Sequence, residues 1–164
     1  MVTPPRAPKD IDSIERLYLA GMRLEQFYNP AVDPMVYYEE ALRRDPDDLR
    51  VNTAVGILML RKGLFEEAEE HLRRAVKRAT WNYTHPRDGE PLYYHGLALR
   101  YLGRHNEAYD TLYEATWDDT FSSPSYFQLA EIAALGGRHA EALGHVDRAL
   151  STNARDLKAL NLKA

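Results

Sequence analysis

Six histidines and a loop rich in polar and aromatic side chains are the residues that could do chemistry in this chain of 164 residues. Histidines that share a metal on a helix lie three or four positions apart, and no two of the six have that spacing. His85 with Asp88 and Glu90 is the cluster whose residue types could hold a metal. The chain also lacks cysteine, a Gly-x-Ser-x-Gly elbow, a His-Glu-x-x-His helix and a glycine-rich phosphate loop. The sequence therefore predicts a protein with no catalysis, no bound metal and no cofactor.

The charge balance argues against nucleic acid as a partner. Lys and Arg total 21 against 25 Asp and Glu, so the net charge of −4 repels a phosphate backbone. The basic run at 71–78 is preceded by Glu69 and Glu70, each four positions before Arg73 or Arg74. Pairs at that spacing predict a solvated, ion-paired helix face.

Composition and hydropathy indicate an ordinary globular domain. Hydrophobic residues make up 45% and charged residues 28% of the chain. The apolar run Val55–Leu60 is far too short to span a bilayer, and the N-terminal residues lack a secretory apolar region. We therefore expect a cytoplasmic protein that binds no membrane.

One pattern of small and apolar residues occurs three times. It indicates which helices position the polar side chains. Each copy predicts two amphipathic helices joined by a turn that contains glycine. The copies occupy 56–75, 96–115 and 130–149, and the first consists of Gly56, Met59, Gly63, Ala68, Leu72 and Ala75.

This arrangement resembles the tetratricopeptide repeat, a helix pair with a period of about 34 residues. The resemblance covers nearly the whole chain and implies an all-α, right-handed superhelical solenoid of antiparallel helix pairs. Its register predicts that Ser123 and Pro124 begin the fourth repeat as N-cap and first helical residue. It gives an N-terminal arm at 1–13, a divergent repeat at 14–48, a second repeat at 49–88 with a long loop at 78–91, a third at 89–122, a fourth at 123–156 and the start of a further helix at 157–164.

The resemblance also implies a concave groove lined by the first helix of every repeat. In members that grip the carboxylate of a chaperone tail, Lys, Arg and Asn form a clamp; here Thr53, Ala54 and Ile57 replace it in the second repeat. The clamp is therefore absent. On the first two repeats the same register lines the groove with Glu15, Tyr18, Leu19, Met22, Glu25, Gln26, Arg50, Thr53, Ala54, Ile57, Leu60 and Arg61.

Aromatic and arginine side chains are concentrated on this implied face, and they are the residue types that anchor protein interfaces. The alternative is that single tyrosines only pack against the next helix, with their hydroxyls in water. We expect any ligand groove to centre on the third repeat. The predicted partner residues are Tyr18, Arg50, Arg61, Tyr93, Tyr94, Arg100, Tyr101, Phe127, Gln128 and Glu131.

The long loop offers a second candidate surface. Its side chains Trp81, Tyr83, His85, Asp88 and Glu90 could rim one end of the groove and hold a sugar or cap a peptide. In the alternative interpretation, the two aromatic rings pack into the seam between repeats and the Asp-Gly pair only forms a turn.

The arrangement with its long loop also resembles the repeat segment of large bacterial proteins that join such repeats to β-rich domains. The similarity lies in the runs 88–94, 96–100, 114–117 and 161–164. It implies that the chain is a fragment of a multidomain protein. Leu157 and Leu160 then begin a helix that lacks its covering partner, which predicts fraying or a homodimer through this helix.

Two functions follow as hypotheses. The first is a non-catalytic interaction scaffold whose concave groove binds a peptide segment or a neighbouring domain of the same parent protein. The second is an accessory module whose loop completes a carbohydrate or small-ligand site in a larger enzyme.

Overall fold

The computed structural model describes residues 6–27, 32–82 and 88–163, and every regular element within these ranges is helical. None of these helices is both long enough and apolar enough to cross a membrane. After a short 3₁₀ helix at Pro8–Asp10, the helices are α1 (Ile14–Gln26), α2 (Met35–Arg44), α3 (Leu49–Lys62), α4 (Phe65–Thr80), α5 (Glu90–Tyr101), α6 (His105–Ala115), α7 (Asp119–Leu135), α8 (His139–Thr152) and α9 (Leu157–Lys163).

Consecutive helices form pairs that stack in one direction. The pairs are α1 with α2, α3 with α4, α5 with α6 and α7 with α8, and the second helix of each pair also packs on the first helix of the next. The first helices contact one another as well, in the order α1, α3, α5, α7 and α9. This contact pattern is that of an α-solenoid, in which each repeat touches only its neighbours.

Small residues allow the two helices of a pair to approach closely. Gly56 on α3 faces Leu72 on α4, and a Cβ placed on Gly56 would lie 2.4 Å from the Leu72 Cγ. Gly96 and Leu112 repeat the contact between α5 and α6, with a corresponding distance of 2.5 Å. Both leucines are fully buried, so the glycine pattern in the sequence marks the tightest seams of the core.

A left-handed glycine ends the first helix of the second, third and fourth pairs. Gly63 has a φ of 76°, and the next residue, Leu64, donates its backbone N–H to the Met59 carbonyl at 3.0 Å. Gly103 and Gly137 adopt the same conformation. Glycine reaches this region without steric cost, which explains why the turn occurs at one fixed position of each of these repeats.

The seventh helix begins four residues before Ser123, so the prediction of an N-cap at Ser123 and Pro124 is wrong. Asp118 is the N-cap, because its Oδ1 accepts the backbone N–H of Thr120 at 2.9 Å. Pro124 lies inside the helix, where it leaves the Thr120 carbonyl without its usual intrahelical donor. The predicted boundary between 122 and 123 consequently falls within α7.

The segment predicted as a long loop at 78–91 is shorter at both ends. Helix α4 continues to Thr80, whose hydroxyl donates to the Val76 carbonyl at 2.9 Å. Helix α5 begins at Glu90 and accommodates Pro91 in its first turn, where a backbone N–H has no helical partner.

The N-terminal arm is attached to the second helix. The Arg44 guanidinium donates to the Ile11 carbonyl at 2.6 Å, and the Tyr37 hydroxyl donates to the Arg6 carbonyl at 2.9 Å. Ile11 itself is buried in the first core cluster. The described part of the arm, residues 6–13, therefore packs against the first helix pair.

Candidate functional site

A groove of about 580 Å³ lies between the first two repeats and the beginning of the third. Helices α1 and α3 supply most of its walls, and Asp88 and Glu90 close it at the start of α5. On α1 and α3, nine lining residues are among those that the repeat register assigned to the concave face: Tyr18, Met22, Glu25, Gln26, Arg50, Thr53, Ala54, Ile57 and Arg61.

Helical periodicity explains why these side chains reach the groove. On α1, Tyr18, Met22 and Glu25 follow an i, i+4, i+7 spacing, whereas the buried residues Leu17 and Leu24 lie on an adjacent face. The lining therefore needs no special backbone geometry. It follows from packing the apolar stripe of each first helix against its partner.

Each arginine of the groove is paired with a carboxylate of α1. Arg50 pairs with Glu15, and Arg61 lies 3.3 Å from Glu25. The Arg50 guanidinium also lies over the ring of Tyr18, 5.2 Å from its centroid. These contacts join the parallel helices α1 and α3 at both ends and neutralise the two cations.

Tyr38 forms the floor of the groove and was not predicted there. Its hydroxyl donates to Glu25 at 2.6 Å, and burial together with this hydrogen bond raises the pKa of Tyr38. Its ring packs against Gly21, where an added Cβ would lie 2.5 Å from the ring. The glycine in α1 was the sequence signal that a large ring occupies this position.

Asp88 and Glu90 lie at the wall of the groove formed by α5. The Asp88 carboxylate accepts the backbone N–H of Glu90 at 2.9 Å, and this contact holds it at the start of α5. Burial, followed by the charge of Asp88, raises the pKa of Glu90. Burial and then the Glu90 carboxylate raise the pKa of Tyr94, whose side chain lies in the next turn of the same helix.

The predicted aromatic residues of the third repeat form a cluster of their own. Tyr93 and Tyr94 meet edge to face at 5.2 Å, and the Tyr93 ring lies 5.4 Å from Phe121 of α7. Burial raises the pKa of Tyr93 to about 12. Apart from Glu90, the lining of the groove described above contains no residue of the third repeat.

Arg100, Gln128 and Glu131 make contact with one another across two repeats. Arg100 donates to Gln128 and lies 2.9 Å from Glu131, and both partners belong to α7. Gln128 is buried. The three side chains thus form a polar link between α5 and α7.

Two further predicted residues have partners elsewhere. Tyr101 stacks on Phe65 at 4.7 Å with nearly parallel rings. Phe127 packs against the cluster that contains Val146 and Ala159. The ten predicted residues are therefore distributed over several neighbourhoods along the solenoid.

The residues predicted to rim the groove do not all lie at the groove. Trp81 follows the end of α4 with 70% of its surface exposed, so its indole does not pack into the seam. Asp88 and Glu90 line the groove. Tyr83 and His85 lie outside the described residues.

Three histidines of the described ranges, His71, His95 and His145, occupy seams between helices. Nε2 of His95 lies 3.3 Å from Glu69, and Nδ1 of His71 lies 2.9 Å from Oδ1 of Asn52. Across 6–27, 32–82 and 88–163, no three His, Asp or Glu residues are grouped to hold a metal ion. The proposed cluster around His85 falls partly outside these ranges.

Sequence reasoning missed a polar network between the third and fourth helix pairs. The Tyr109 hydroxyl donates to Glu141 at 2.7 Å and lies 2.9 Å from Nε2 of His145. Tyr126 stacks on the same imidazole at 5.9 Å. No local motif signals this arrangement, because its members come from α6, α7 and α8.

The fold matches solved tetratricopeptide-repeat structures, although no protein-family profile matches the sequence. A crystal structure of MamA aligns with a TM-score of 0.75 at 20% identity, over 87% of this chain and 80% of that one. PilF of Pseudomonas aeruginosa aligns with a TM-score of 0.74 at 21% identity, over 91% and 67%. The Cut9-Hcn1 hetero-tetramer of the APC/C aligns with a TM-score of 0.79 at 16% identity, over 93% and 30%.

These similarities show the fold and confirm the sequence-based prediction of an all-α, right-handed tetratricopeptide-type solenoid. The identities are low, so the comparison carries no residue-level assignment. The placement of the chain within a larger bacterial multidomain protein stays a prediction.

Proposed function

We propose that this protein is a non-catalytic binding scaffold that holds a peptide segment or a neighbouring protein domain in the groove between α1, α3 and the start of α5. The observation that carries the proposal is the lining of that groove. It combines an aromatic ring, aliphatic side chains and paired arginines on rigid helices, and such a surface suits an extended chain.

The dimensions of the groove favour a short peptide. Arg50 and Arg61 lie eleven positions apart on α3, which corresponds to about 16 Å along the helix. An extended chain rises about 3.3 Å per residue, so roughly five residues would span this distance. Between the arginines lie Thr53, Ala54 and Ile57, whose small or apolar side chains leave room for a backbone.

The solved neighbours give general support. One of them was solved as a protein assembly, the Cut9-Hcn1 hetero-tetramer of the APC/C. The sequence itself offers no catalytic motif, in keeping with a binding role.

The test is a selection of peptides from a random displayed library on the purified chain, followed by anisotropy titration of the selected peptides. Ala54→Trp fills the groove and should abolish their binding. The matched control is Ala140→Trp, which places the same ring at an exposed position of α8. Binding that survives Ala54→Trp in a variant of unchanged helicity would contradict the groove assignment.

The alternative function, an accessory carbohydrate or small-ligand site at the loop, retains support from Trp81. An indole with 70% of its surface exposed can stack on a sugar ring. A glycan array probed with the wild-type chain, Trp81→Ala and Trp117→Ala tests this. Binding lost only in Trp81→Ala would favour the alternative over the peptide scaffold.

A further inference from the structure

We infer that the groove recognises a segment with a basic side chain, an arginine or a lysine, which lies against Asp88 and Glu90. This inference rests on the proposed function and specifies the chemistry of the partner. Its starting point is the distribution of charge among the side chains that line the groove.

The two cations of the groove already have partners. Arg50 is held by Glu15, and Arg61 by Glu25, which also accepts the Tyr38 hydroxyl. An acidic peptide would have to displace these carboxylates, and it would approach a surface whose positive charges are neutralised. The paired arginines therefore disfavour an acidic partner.

The remaining charged lining residues are both acidic. Within the described ranges, neither Asp88 nor Glu90 forms an ion pair, although both line the groove. Two other partly buried carboxylates are matched: Glu40 lies 2.7 Å from Arg44, and Glu131 lies 2.9 Å from Arg100. Among the described residues, the α5 wall of the groove thus carries two carboxylates that form no ion pair.

A cation bound at this wall would relieve an unfavourable arrangement. Glu90 is partly buried beside a second carboxylate, and both effects raise its pKa. A guanidinium offers a fork of N–H donors that suits a pair of carboxylates, whereas water solvates them only on the open side. The ring of Tyr18 on the facing helix can contact the aliphatic stem of the same side chain.

The geometry favours a side chain of a peptide over a free small cation. The acidic wall is continuous with the neutral stretch formed by Met22, Ala54 and Ile57. A segment that lies along α3 can therefore contact this neutral stretch and place one basic side chain at the acidic wall. A free cation would contact only the acidic wall.

The experiment uses two fluorescein-labelled pools of capped pentapeptides with randomised neutral flanks. One pool has arginine at its centre and the other has citrulline, which keeps the shape of arginine but lacks its charge. Anisotropy titrations with the full chain should show about ten-fold tighter binding of the arginine pool, as expected for one charge-assisted contact.

The variant Asp88→Asn with Glu90→Gln removes both charges, while the amide oxygen introduced at position 88 can still accept the backbone N–H of position 90. It should bind the two pools equally. The matched control is Glu66→Gln with Glu67→Gln, which removes two exposed charges from α4 and should keep the ten-fold preference.

Two outcomes would overturn the inference: equal binding of both pools to the wild-type chain, or a preference that survives in the Asp88→Asn, Glu90→Gln variant. If the pools bind equally and Ala54→Trp abolishes both, the proposed peptide scaffold stands and only the basic specificity fails. If neither pool binds the wild-type chain, the inference fails together with its premise.

Discussion

The backbone N–H of Gly89 donates to Oδ2 of Asp118 at 2.8 Å, across 29 positions of the sequence. Oδ1 of the same carboxylate caps α7 through Thr120. Asp118 therefore joins the beginnings of α5 and α7, the first helices of two successive pairs. Because Gly89 lies between Asp88 and Glu90, this contact also fixes the acidic wall of the groove.

Replacing Asp118 with alanine should destabilise the chain by about 1–2 kcal/mol, because one cap and one charge-assisted hydrogen bond are lost. Asp119→Ala is the control, since the Asp119 side chain lies exposed in the first turn of the same helix. Urea unfolding followed by circular dichroism measures both. Equal midpoints for the two variants would show that the link to Gly89 contributes no stability.

Two helical glycines, Gly96 and Gly144, should respond oppositely to substitution by alanine. A Cβ on Gly96 would lie 2.5 Å from Cγ of the buried Leu112, so Gly96→Ala should cost about 1–3 kcal/mol through overpacking. A Cβ on Gly144 meets nothing within 4 Å, so Gly144→Ala should stabilise α8 by up to about 1 kcal/mol. Thermal unfolding of both variants shows whether each substitution raises or lowers the stability. A change in the same direction for both would contradict the packing described for Gly96.

Stability should fall as the pH is lowered below neutrality, in part because of His95. Burial lowers the pKa of His95 below its ordinary value of 6.5, and this effect outweighs the opposing influence of Glu69. The unfolded chain therefore takes up its proton at a higher pH than the native chain. The contribution of His95 is present above pH 6.5 and is lost as the pH falls toward the native pKa, with a slope of at most about 1.4 kcal/mol per pH unit.

His95→Gln should flatten this slope, measured as the free energy of unfolding in urea between pH 7.5 and 5. His139→Gln is the control, because His139 is exposed at the start of α8. Parallel curves for the wild-type chain and His95→Gln would exclude His95 as a source of the acid sensitivity.

Tyr94 and Tyr101 were expected from the sequence to belong to a groove centred on the third repeat, and that expectation stays a prediction. The double variant Tyr94→Ala, Tyr101→Ala should weaken capture of the selected peptides several-fold while helicity is kept, because aromatic rings contribute strongly to peptide contacts. Tyr113→Ala, at an exposed ring of α6, is the control. Capture unchanged in the double variant would restrict the binding surface to α1, α3 and the acidic wall.

The last helix carries an apolar face in contact with water. Leu157 is 74% exposed and Leu160 is 42% exposed, whereas Ala159 on the other side is buried. We predict that this face pairs with a second copy, so that the sedimentation coefficient rises with concentration. Leu157→Glu with Leu160→Glu should remove that rise, and Val36→Glu, at the opposite end of the solenoid, should keep it. A coefficient independent of concentration in the wild-type chain would refute the dimer.

The sequence by itself determined the repeat architecture. Glycines such as Gly63, Gly96 and Gly103 mark the turns and the closest helix contacts, and alanines at fixed intervals mark the seams. These features depend on spacing within a single helix pair, where the periodicity of an α-helix decides which side chains meet. The resemblance to the tetratricopeptide repeat placed Tyr18 and Arg50 on the groove face.

Only the tertiary structure decided what those side chains contact. Arg100 is bound to Gln128 and Glu131, Tyr101 stacks on Phe65, and α7 begins at Asp119 because Asp118 is held between two helices. Each of these contacts joins residues from different helices, and their relative placement depends on how whole pairs stack. Local spacing contains no information about that stacking. Only the folded chain therefore shows that the predicted partner residues lie in several separate places, and that Asp88 and Glu90 form an acidic wall of the groove.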